Sequence, residues 1–431
     1  MSLAIRLAKE NFRVTLIERE KFPRQKLCGE FISPECLGHF RDLGVFDEMS
    51  ASGGDRILET IFYEPNGKSV SIPSKWFGGD AQGALSLSRA TMDFRLLEKA
   101  REVGVEVLEE TQVVGILFEN DEIRGVKVKS KDGKAQAISA DLTIDATGRA
   151  NVLTKFVEKE NSRKGAEKFK IQDSRFRIQD SGFRIQDSGF RIQDSGFRIQ
   201  DSGFRIQDSK LRKIQNPKSK IQNRLVGFKT HLKNVNMEKG RCEIYFFRGG
   251  YGGLSFVENN LANHCFLIKA DVVKRFGSDA EKVVREVVFQ NNRAFETLKD
   301  AAPVEDWLAV SVDGFGQKDL NPATNLFAVG DAGAFIDPFT GSGMLMAFES
   351  AEILANLIAE NQSAPERIAG IYKILHRRKF QSRLRVCSIL RRAAFVPAFA
   401  KSAIFALSLS RNMQKVLARS TRQTLAATEN K

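Results

Sequence analysis

The first twenty residues carry a hydrophobic pattern that predicts a helix followed by a strand. Apolar residues, among them Ala4 and Leu7, recur at helical spacing across residues 2–10. The pattern then changes to a short apolar run over residues 14–17, which predicts a buried strand that ends at Glu18. A helix that leads into a strand ending on an acidic residue is typical of the second half of a βαβ unit.

A series of predicted strands follows. Residues 103–110 predict one strand, and a three-strand meander follows at residues 112–119, 123–130 and 135–148. The connections within the meander contain Asn, Asp and Gly, the residues that hairpin turns require. The last strand ends in the Ala-Thr-Gly turn at 146–148, where a backbone can approach a ligand closely.

The second half of the chain contains Phe-rich segments that predict a mostly antiparallel sheet. Residues 224–232, 242–257 and 263–270 each predict one or two strands of this sheet. Together with residues 56–74 they predict a substrate domain that spans 56–74 and 224–321. Phe-rich strands indicate an apolar pocket, although a place in an aromatic core is the alternative for each individual Phe.

The stretch 326–359 combines a buried strand, a Gly-Asp pair and a helix that begins at glycines. Residues 326–329 predict the strand, and the Gly-Asp pair at 330–331 stands at its carboxyl end, where open α/β sheets bind ligands. Gly-Ser-Gly at 341–343 then opens a long helix, whose N-terminus presents unpaired N–H groups and a positive dipole to an anionic or electron-accepting group. An ordinary strand–loop–helix is the alternative, but GDAG followed by PFTGSG is far more specific than Gly-Asp alone.

Residues 169–210 form a tandem repeat of seven-residue copies: FKIQDSR, then FRIQDSG four times, then FRIQDSK. Phe and Ile are two positions apart, which excludes a coiled-coil seam, and the Gly in most copies disfavours a helix. Each copy offers only two apolar side chains to offset the entropy of ordering, which favours a disordered or loosely β-like loop over a stack of hairpins. Residues 161–223 are therefore interpreted as a low-complexity repeat insertion.

Composition and charge exclude several classes of protein. The net charge is +14, but 16 Lys and Arg against 7 Asp and Glu lie between residues 161 and 224, so the charge does not indicate a nucleic-acid-binding surface. The sequence shows no Ser/His/Asp set and no metal-binding cluster, and five cysteines at scattered spacings favour a reducing cytoplasm. The most apolar stretch, 393–410, contains Pro397 and Lys401 and is expected to be a packed helix.

The basic run at 376–392 leaves two interpretations open. It is either a solvated helix face, which is the more common case, or a surface that contacts acidic lipids. The second interpretation predicts peripheral membrane contact through the basic C-terminal helix, and a location at the membrane surface of the cytoplasm.

Several of these stretches together resemble a known family of flavoproteins. The chain is similar to single-FAD oxidoreductases of the glutathione-reductase-like superfamily, in the branch that holds geranylgeranyl reductases and aromatic hydroxylases. The stretches that carry the resemblance are RVTLIERE, FPRQKLCGEFISP, SLSRATMDFRLLEKA, the Ala-Thr-Gly turn and the GD…PFTGSGM block.

The resemblance implies an α/β fold with three parts. A Rossmann-like FAD-binding domain would span 1–55, 75–160 and 322–360, with the antiparallel-sheet substrate domain on it. A C-terminal helical region would span 361–431. The family begins with a strand and a Gly-x-Gly-x-x-Gly turn before the first helix, and this sequence starts inside that helix. The first strand is therefore expected to be missing, and the chain as given is expected to hold FAD weakly.

The resemblance also implies cofactor contacts. Glu18 would accept hydrogen bonds from the adenosine ribose, Arg89 would face the phosphates and Val113 would offer backbone to the adenine. The contacts implied for the ribityl chain, the pyrophosphate and the flavin ring are Asp331, Gly343, Met344, Cys28 and Gly29. A buried structural cysteine is the alternative for Cys28. No metal site and no specific catalytic residue is predicted.

The implied activity is FAD-dependent redox chemistry on a hydrophobic small molecule. Geranylgeranyl-reductase-like alkene reduction and oxygen-dependent hydroxylation both remain open, and the electron donor could be NAD(P)H or another reductant because no second dinucleotide fingerprint is present. The alternative is a non-catalytic relic of such a flavoprotein.

Overall fold

The computed structural model describes residues 1–78, 83–163, 224–277, 279–361 and 364–421. The helices are α1 (Ser2–Lys9), α2 (Pro34–Leu43), α3 (Phe46–Ala51), α4 (Arg89–Glu102), α5 (152–163), α6 (Ala270–Arg275), α7 (Ala280–Glu286), α8 (Asn292–Leu298), α9 (Gly343–Glu360), α10 (Pro365–Ala394), α11 (Pro397–Ser408) and α12 (Arg411–Ser420). The repeat at 169–210 lies outside the described residues, so its interpretation stays a prediction.

The strands fall into several sheets. In chain order they are β1 (Thr15–Ile17), β2 (Phe31–Ile32), β3 (Asp55–Ile57), β4 (Glu59–Tyr63), β5 (Ser69–Pro73), β6 (Ala84–Ser86), β7 (Glu106–Leu108), β8 (Thr111–Glu119), β9 (Glu122–Ser130), β10 (Ala135–Ser139), β11 (Thr143–Asp145), β12 (Leu225–Lys233), β13 (Arg241–Phe247), β14 (Gly250–Phe256), β15 (Ala262–Lys269), β16 (Ala302–Pro303), β17 (Leu308–Val312), β18 (Gly316–Gln317), β19 (Leu326–Ala328) and β20 (Ala334–Phe335). The mixed α/β fold with antiparallel sheets and C-terminal helices confirms the predicted fold class.

The predicted helix and strand at the start of the chain are present as α1 and β1. The apolar stripe of α1 is buried between two cores, since Ile5 packs with Phe40 and Leu96, whereas Leu7 packs with Leu354 of α9. β1 pairs in parallel with β7, which confirms the strand predicted at 103–110. Helix α1 thus lies directly behind the parallel strands that would carry a ligand.

Outside the large antiparallel sheet, the described parallel strands form two separate pairs. Among the described strands, β1 pairs only with β7, and β11 pairs in parallel with β19, so each pair is a two-stranded sheet. Residues 13–17 of one pair and 138–144 of the other line the same cavity. The hydroxyl group of Thr143, on β11, is buried there and has no hydrogen-bond partner in the described part of the chain. The β1–β7 pair and the β11–β19 pair are therefore separated by a gap that opens into this cavity.

The meander differs from the sequence prediction in its third strand. β8, β9 and β10 form the expected antiparallel three-stranded sheet. The third strand, however, ends at Ser139, and Thr143–Asp145 forms a strand of its own that pairs with Leu326–Ala328 instead. The prediction of one continuous strand over 135–148 is wrong, because Asp141 and its neighbours form a bend that turns the chain toward the second parallel pair.

The predicted antiparallel sheet is present and has eight strands. Its order is β16-β12-β15-β14-β13-β4-β5, with β17 also paired to β12, and its only parallel pair among the described strands is β13 with β4. One face packs Phe228, Tyr245 and Phe266 against helices α6 to α8. The opposite face turns Phe246 and Tyr251 toward the cavity. The sheet therefore forms one wall of the cavity.

Three helices, α10, α11 and α12, form the C-terminal part of the described chain. The stretch 393–410 was predicted to be one packed helix, but Pro397 begins a new helix, α11, after the end of α10. The packing is also only partial, because Phe405 is 63% exposed and Leu409 is 72% exposed. None of the described helices combines the length and the apolarity that a bilayer-crossing helix needs.

Candidate functional site

A large cavity lies between the two parallel pairs, the eight-stranded sheet and the C-terminal helices. Its volume is about 1870 Å³, whereas pockets for one small ligand hold roughly 300–1,000 Å³. All eight residues predicted to contact a cofactor line it: Glu18, Cys28, Gly29, Arg89, Val113, Asp331, Gly343 and Met344. The structure thus brings these residues together, and their contacts to a cofactor stay predictions.

Glu18 lies where the backbone leaves β1, at the end of the cavity that Val113 also lines. Its carboxylate accepts a hydrogen bond from the backbone N–H of Glu20 at 3.0 Å and pairs with Arg24 Nη2 at 3.2 Å. The carboxylate is partly exposed to the cavity and keeps acceptor capacity after these contacts. This position suits recognition of a diol such as a ribose.

Arg89 begins α4, one position after the N-cap residue Ser88. Its guanidinium donates two hydrogen bonds to Asp93, at 3.0 and 2.8 Å, and Lys26 Nζ donates a third at 2.6 Å. Burial of Asp93 favours a higher pKa, but the charges of Arg89 and Lys26 outweigh burial and lower the pKa of this carboxyl. Two cations against one anion give this wall a net positive charge, which suits a phosphate. Lys26 is not among the residues predicted from the sequence, although it lies in the FPRQKLCGE stretch.

Asp331 follows β19 after a glycine in a left-handed turn. Gly330 has φ of +58°, and a Cβ there would lie 3.3 Å from the Cβ of Ala347, so a side chain would be strained as well as crowded. Burial raises the pKa of Asp331, and the charges of nearby Arg149 and Lys318 oppose this rise. The carboxylate is thus held among cations on the cavity wall.

Helix α9 directs its N-terminus into the cavity. Asp337 caps the preceding turn by accepting a hydrogen bond from Phe339 N–H at 2.9 Å, and α9 then begins at Gly343. Gly343 and Met344 both line the cavity. The first N–H groups of a helix have no intrahelical partner, and the 18-residue helix adds a positive dipole end. The site can therefore stabilise negative charge at this point.

The loop of Cys28 and Gly29 continues into a buried charged cluster that the sequence analysis missed. Glu30 is fully buried, and its carboxylate contacts Lys229 Nζ at 2.6 Å and His231 Nε2 at 2.7 Å. The partners lie about 200 positions apart in the chain. No motif connects them, so only the fold reveals the cluster.

The other end of the cavity is aromatic, in agreement with the predicted apolar pocket. Phe339 lies 5.2 Å from Tyr251, 5.8 Å from Phe246 and 6.0 Å from Phe62 between ring centroids. Residues of α11, among them Ile404, cover this end. The cavity therefore has a charged part and an apolar part that join without a barrier of described residues.

One group of potential metal ligands lies elsewhere. His39, Asp42 and Glu352 lie near one another, but the guanidinium of Arg6 pairs with Glu352 at 3.4 Å and with Asp42 at 3.8 Å. A positive charge already occupies the position that a metal ion would take. The group therefore provides no argument for a metal.

Comparison with protein families and curated proteins points to flavoenzymes. The family model described as FAD dependent oxidoreductase matches residues 4–299. Squalene epoxidase 1 from Arabidopsis thaliana is 31% identical over 149 residues, which are 34% of this chain and 28% of that protein. The chain thus matches less than a third of the length of this curated relative.

Solved structures share the fold over nearly the whole chain. The flavin-dependent brominase Bmp2 has a TM-score of 0.68 at 16% identity and covers 98% of this chain and 91% of its own. A geranylgeranyl bacteriochlorophyll reductase-like protein from Thermoplasma acidophilum has a TM-score of 0.69 at 14% identity, with 98% and 93% covered. At such identities the likeness concerns the fold alone.

Proposed function

The chain belongs to the FAD dependent oxidoreductase family, and we propose that it binds FAD in the cavity and uses it to reduce or oxygenate a hydrophobic small molecule. The observation that carries this proposal is the continuity of the cavity. Its charged part contains all eight predicted cofactor contacts, and its apolar part is an aromatic pocket large enough for a separate ligand.

The residues of the charged part fit FAD. Glu18 suits the ribose hydroxyls, and the positive wall of Arg89 and Lys26 suits the pyrophosphate. The N-terminus of α9 at Gly343 suits the flavin pyrimidine, where reduction builds negative charge. Asp331 offers a charged acceptor for the ribityl chain. These four positions carry complementary charges for the successive parts of one elongated dinucleotide.

When bound, FAD supplies hydride or oxygen chemistry, and the protein supplies position, electrostatics and exclusion of water. The aromatic end holds an apolar chain, and α11 separates it from solvent. Reduction of an alkene and hydroxylation remain two forms of this proposal, since a reductase-like protein and squalene epoxidases are both among the similar proteins. The proposed reaction requires a donor of two electrons, which is NAD(P)H or another reductant.

The test is a single-turnover reaction of the purified chain loaded with FAD. The bound flavin is photoreduced without oxygen, and an isoprenoid alcohol is added with or without air. Mass spectrometry distinguishes addition of two hydrogens from addition of one oxygen atom. Retained flavin that transfers nothing to any apolar alkene under either condition would contradict the proposal and favour the non-catalytic relic.

The gap between the two parallel pairs supports a proposal about what tight cofactor binding requires. A strand placed between β1 and β11 would pair with both and join the two pairs into one parallel sheet. A turn after that strand would meet the N-terminus of α1, whose first residues line the cavity and can bind a phosphate. We propose that tight FAD binding requires such a strand and turn.

The experiment compares the chain as given with a version that carries an upstream strand and a Gly-x-Gly-x-x-Gly turn. We expect weak FAD binding in the first protein and stoichiometric yellow flavin in the second. A matched control carries the same strand with alanines in the turn, which removes the close backbone approach. Stoichiometric flavin in the chain as given would show that the added strand and turn are not needed for binding.

The C-terminal helices support a proposal of peripheral membrane contact. Large apolar residues at 389, 396, 399, 405, 409, 413 and 416 are exposed on α10 to α12 and their connections. The sequence from 367 to 428 contains no acidic residue, and Lys401, Arg411 and Lys415 are exposed among these apolar residues. An apolar surface with basic residues fits the interface of an anionic bilayer. The same helices cover the apolar end of the cavity, so a lipid-soluble substrate could pass from the bilayer to the pocket.

Vesicle flotation tests this contact. We expect the full chain to float with vesicles that contain phosphatidylserine and to stay behind with neutral vesicles. Phe405→Ser should weaken flotation, whereas Phe295→Ser, which changes an exposed Phe on α8, should not. Equal flotation of both variants, or none of the unmodified chain, would contradict membrane contact.

A further inference from the structure

We infer that Glu305, His231 and Glu30 form a proton path from solvent to the wall of the cavity beside Cys28 and Gly29. The inference rests on the proposed function in one respect: the proposed function explains why a proton path is needed, because two-electron reduction in the cavity consumes protons. The path itself is argued from contacts among described residues.

The inner end of the path is Glu30. Its carboxylate is fully buried, and the residue lines the cavity. Oε1 accepts hydrogen bonds from Lys229 Nζ at 2.6 Å and from the backbone N–H of Arg89 at 2.7 Å. Oε2 contacts His231 Nε2 at 2.7 Å. One carboxylate oxygen is therefore fixed by two donors, and the other is left to the imidazole.

The fold imposes this arrangement on the loop. Glu30 has φ of +54°, a left-handed conformation that is uncommon for a residue with a side chain. Lys229 and His231 are two positions apart on β12, so their side chains point to the same face of the sheet, toward the Glu30 loop. The loop conformation and the strand register thus both place these groups together.

The outer end of the path is Glu305. Its Oε1 lies 2.9 Å from His231 Nδ1, and its side chain is 29% exposed, whereas that of His231 is 4% exposed. This oxygen is buried and makes no hydrogen bond among the described residues, so transfer of a proton to Nδ1 requires a small rotation of the carboxylate or of the imidazole. The backbone nearby is fixed, because Val304 N–H donates to the His231 carbonyl at 2.9 Å. The imidazole thus has one carboxylate at each ring nitrogen, one buried and one in contact with solvent.

The transfer step involves protons alone. A proton from Glu305 binds to Nδ1 as the Nε2 proton moves to Glu30 Oε2, and Glu305 regains a proton from water. One O–H and one N–H bond break while one N–H and one O–H bond form, and no electrons are exchanged between residues. Imidazole can conduct in this way because each ring nitrogen can either donate or accept.

A purely structural role is the competing explanation, because the cluster also attaches the loop to the sheet. The two explanations differ at Glu305, the half-buried member. Glu305→Gln keeps size and polarity but removes the carboxyl group that takes up a proton from water and passes it on. The matched control is Asp306→Asn, the exposed neighbour in the same loop, which has no place in the path.

The first experiment needs no cofactor. The chain has four histidines, so ring N–H exchange with solvent can be followed by NMR after selective 15N-histidine labelling, with His231→Gln as the assignment variant. The path predicts exchange of the His231 ring protons that is about 100-fold slower in Glu305→Gln and unchanged in Asp306→Asn. Loosening of a structural contact would make exchange faster. Unchanged or faster exchange in Glu305→Gln overturns the inference.

The second experiment uses the chain loaded with FAD. Proton uptake during photoreduction is followed with a pH indicator, and it should be about 100-fold slower in Glu305→Gln than in the unmodified chain or Asp306→Asn. Absence of bound FAD even in the version that carries the upstream strand and turn would contradict the proposed function and leave the exchange experiment to decide the path. Bound FAD with equal uptake in all three proteins would overturn the path and leave the proposed function intact.

Discussion

Acidification should destabilise the folded chain strongly, and His264 should account for a defined part of this effect. The ring of His264 is buried on β15 against Phe266 and Trp307, at centroid distances of 5.3 and 5.9 Å. Neither ring nitrogen has a hydrogen-bond partner among the described residues. Burial lowers the pKa of His264 to about 3 from 6.5. The folded protein therefore holds this ring neutral at every moderately acidic pH.

The magnitude follows from the difference in pKa between the two states. The unfolded chain binds the proton below about pH 6.5, whereas the folded protein does so only near pH 3. The stability that the neutral His264 contributes is therefore fully present above pH 6.5. It is lost as the pH drops toward 3, by about 1.36 kcal/mol per pH unit. Between pH 7 and pH 5 this amounts to about 2 kcal/mol for His264. A typical domain has about 5–15 kcal/mol of stability, so the loss is large.

Urea unfolding at pH 7 and at pH 5 measures this loss. His264→Phe removes the titrating group and keeps an aromatic ring in the core, so the difference in unfolding free energy between the two pH values should shrink by about 2 kcal/mol. Other groups titrate alike in both proteins and cancel. An unchanged difference would show that His264 is solvated or paired in the folded state, and the argument from burial would be refuted.

Three further outcomes are expected. In a protein that binds FAD, Asp331→Ala should reduce flavin content far more than Cys28→Ala, because a hydrogen bond to a charged acceptor contributes about 1.5–3 kcal/mol; equal flavin in Asp331→Ala and the unmodified protein would remove Asp331 from the site. Deletion of residues 165–222 should leave the melting temperature and flavin content unchanged and reduce aggregation, since loop closure costs only about 0.6 kcal/mol per doubling of length; early melting of the deletion would contradict the insertion interpretation. Arg293→Ala should lower the unfolding free energy by about 3–5 kcal/mol, because it leaves the fully buried Glu243 without its ion pair at 2.7 Å; a loss below 1 kcal/mol in urea unfolding would contradict this.

Local patterns predicted much of the fold. The stripe of α1, the meander turns and the Phe-rich strands of the large sheet are all set by neighbours within a few residues, and the structure contains them. The end of β10 at Ser139 was missed because the apolar pattern continues to Ile144. Only pairing with Leu326, far along the chain, shows that the last part belongs to another sheet.

The distinction between local sequence patterns and contacts of distant residues also applies to the candidate site. Its eight predicted residues lie in short motifs with recognisable spacing, and all of them line one cavity. Lys26 and the cluster of Glu30, Lys229 and His231 have no such spacing, because their relation arises from the packing of a loop on a strand. Charged residues scattered along a basic chain carry no signal of which few are buried together.

The pairing of β11 with β19 also has a consequence for the nascent chain. These partners are separated by about 180 residues, among them the whole repeat insertion. At about 5–20 residues per second, the ribosome needs roughly 10–40 s to complete β19 after β11 has emerged. During this interval β11 has no partner from β19, and an apolar strand edge is open to other chains. Each added repeat lengthens the wait, so we expect translation speed and chaperone supply to limit the yield of this protein.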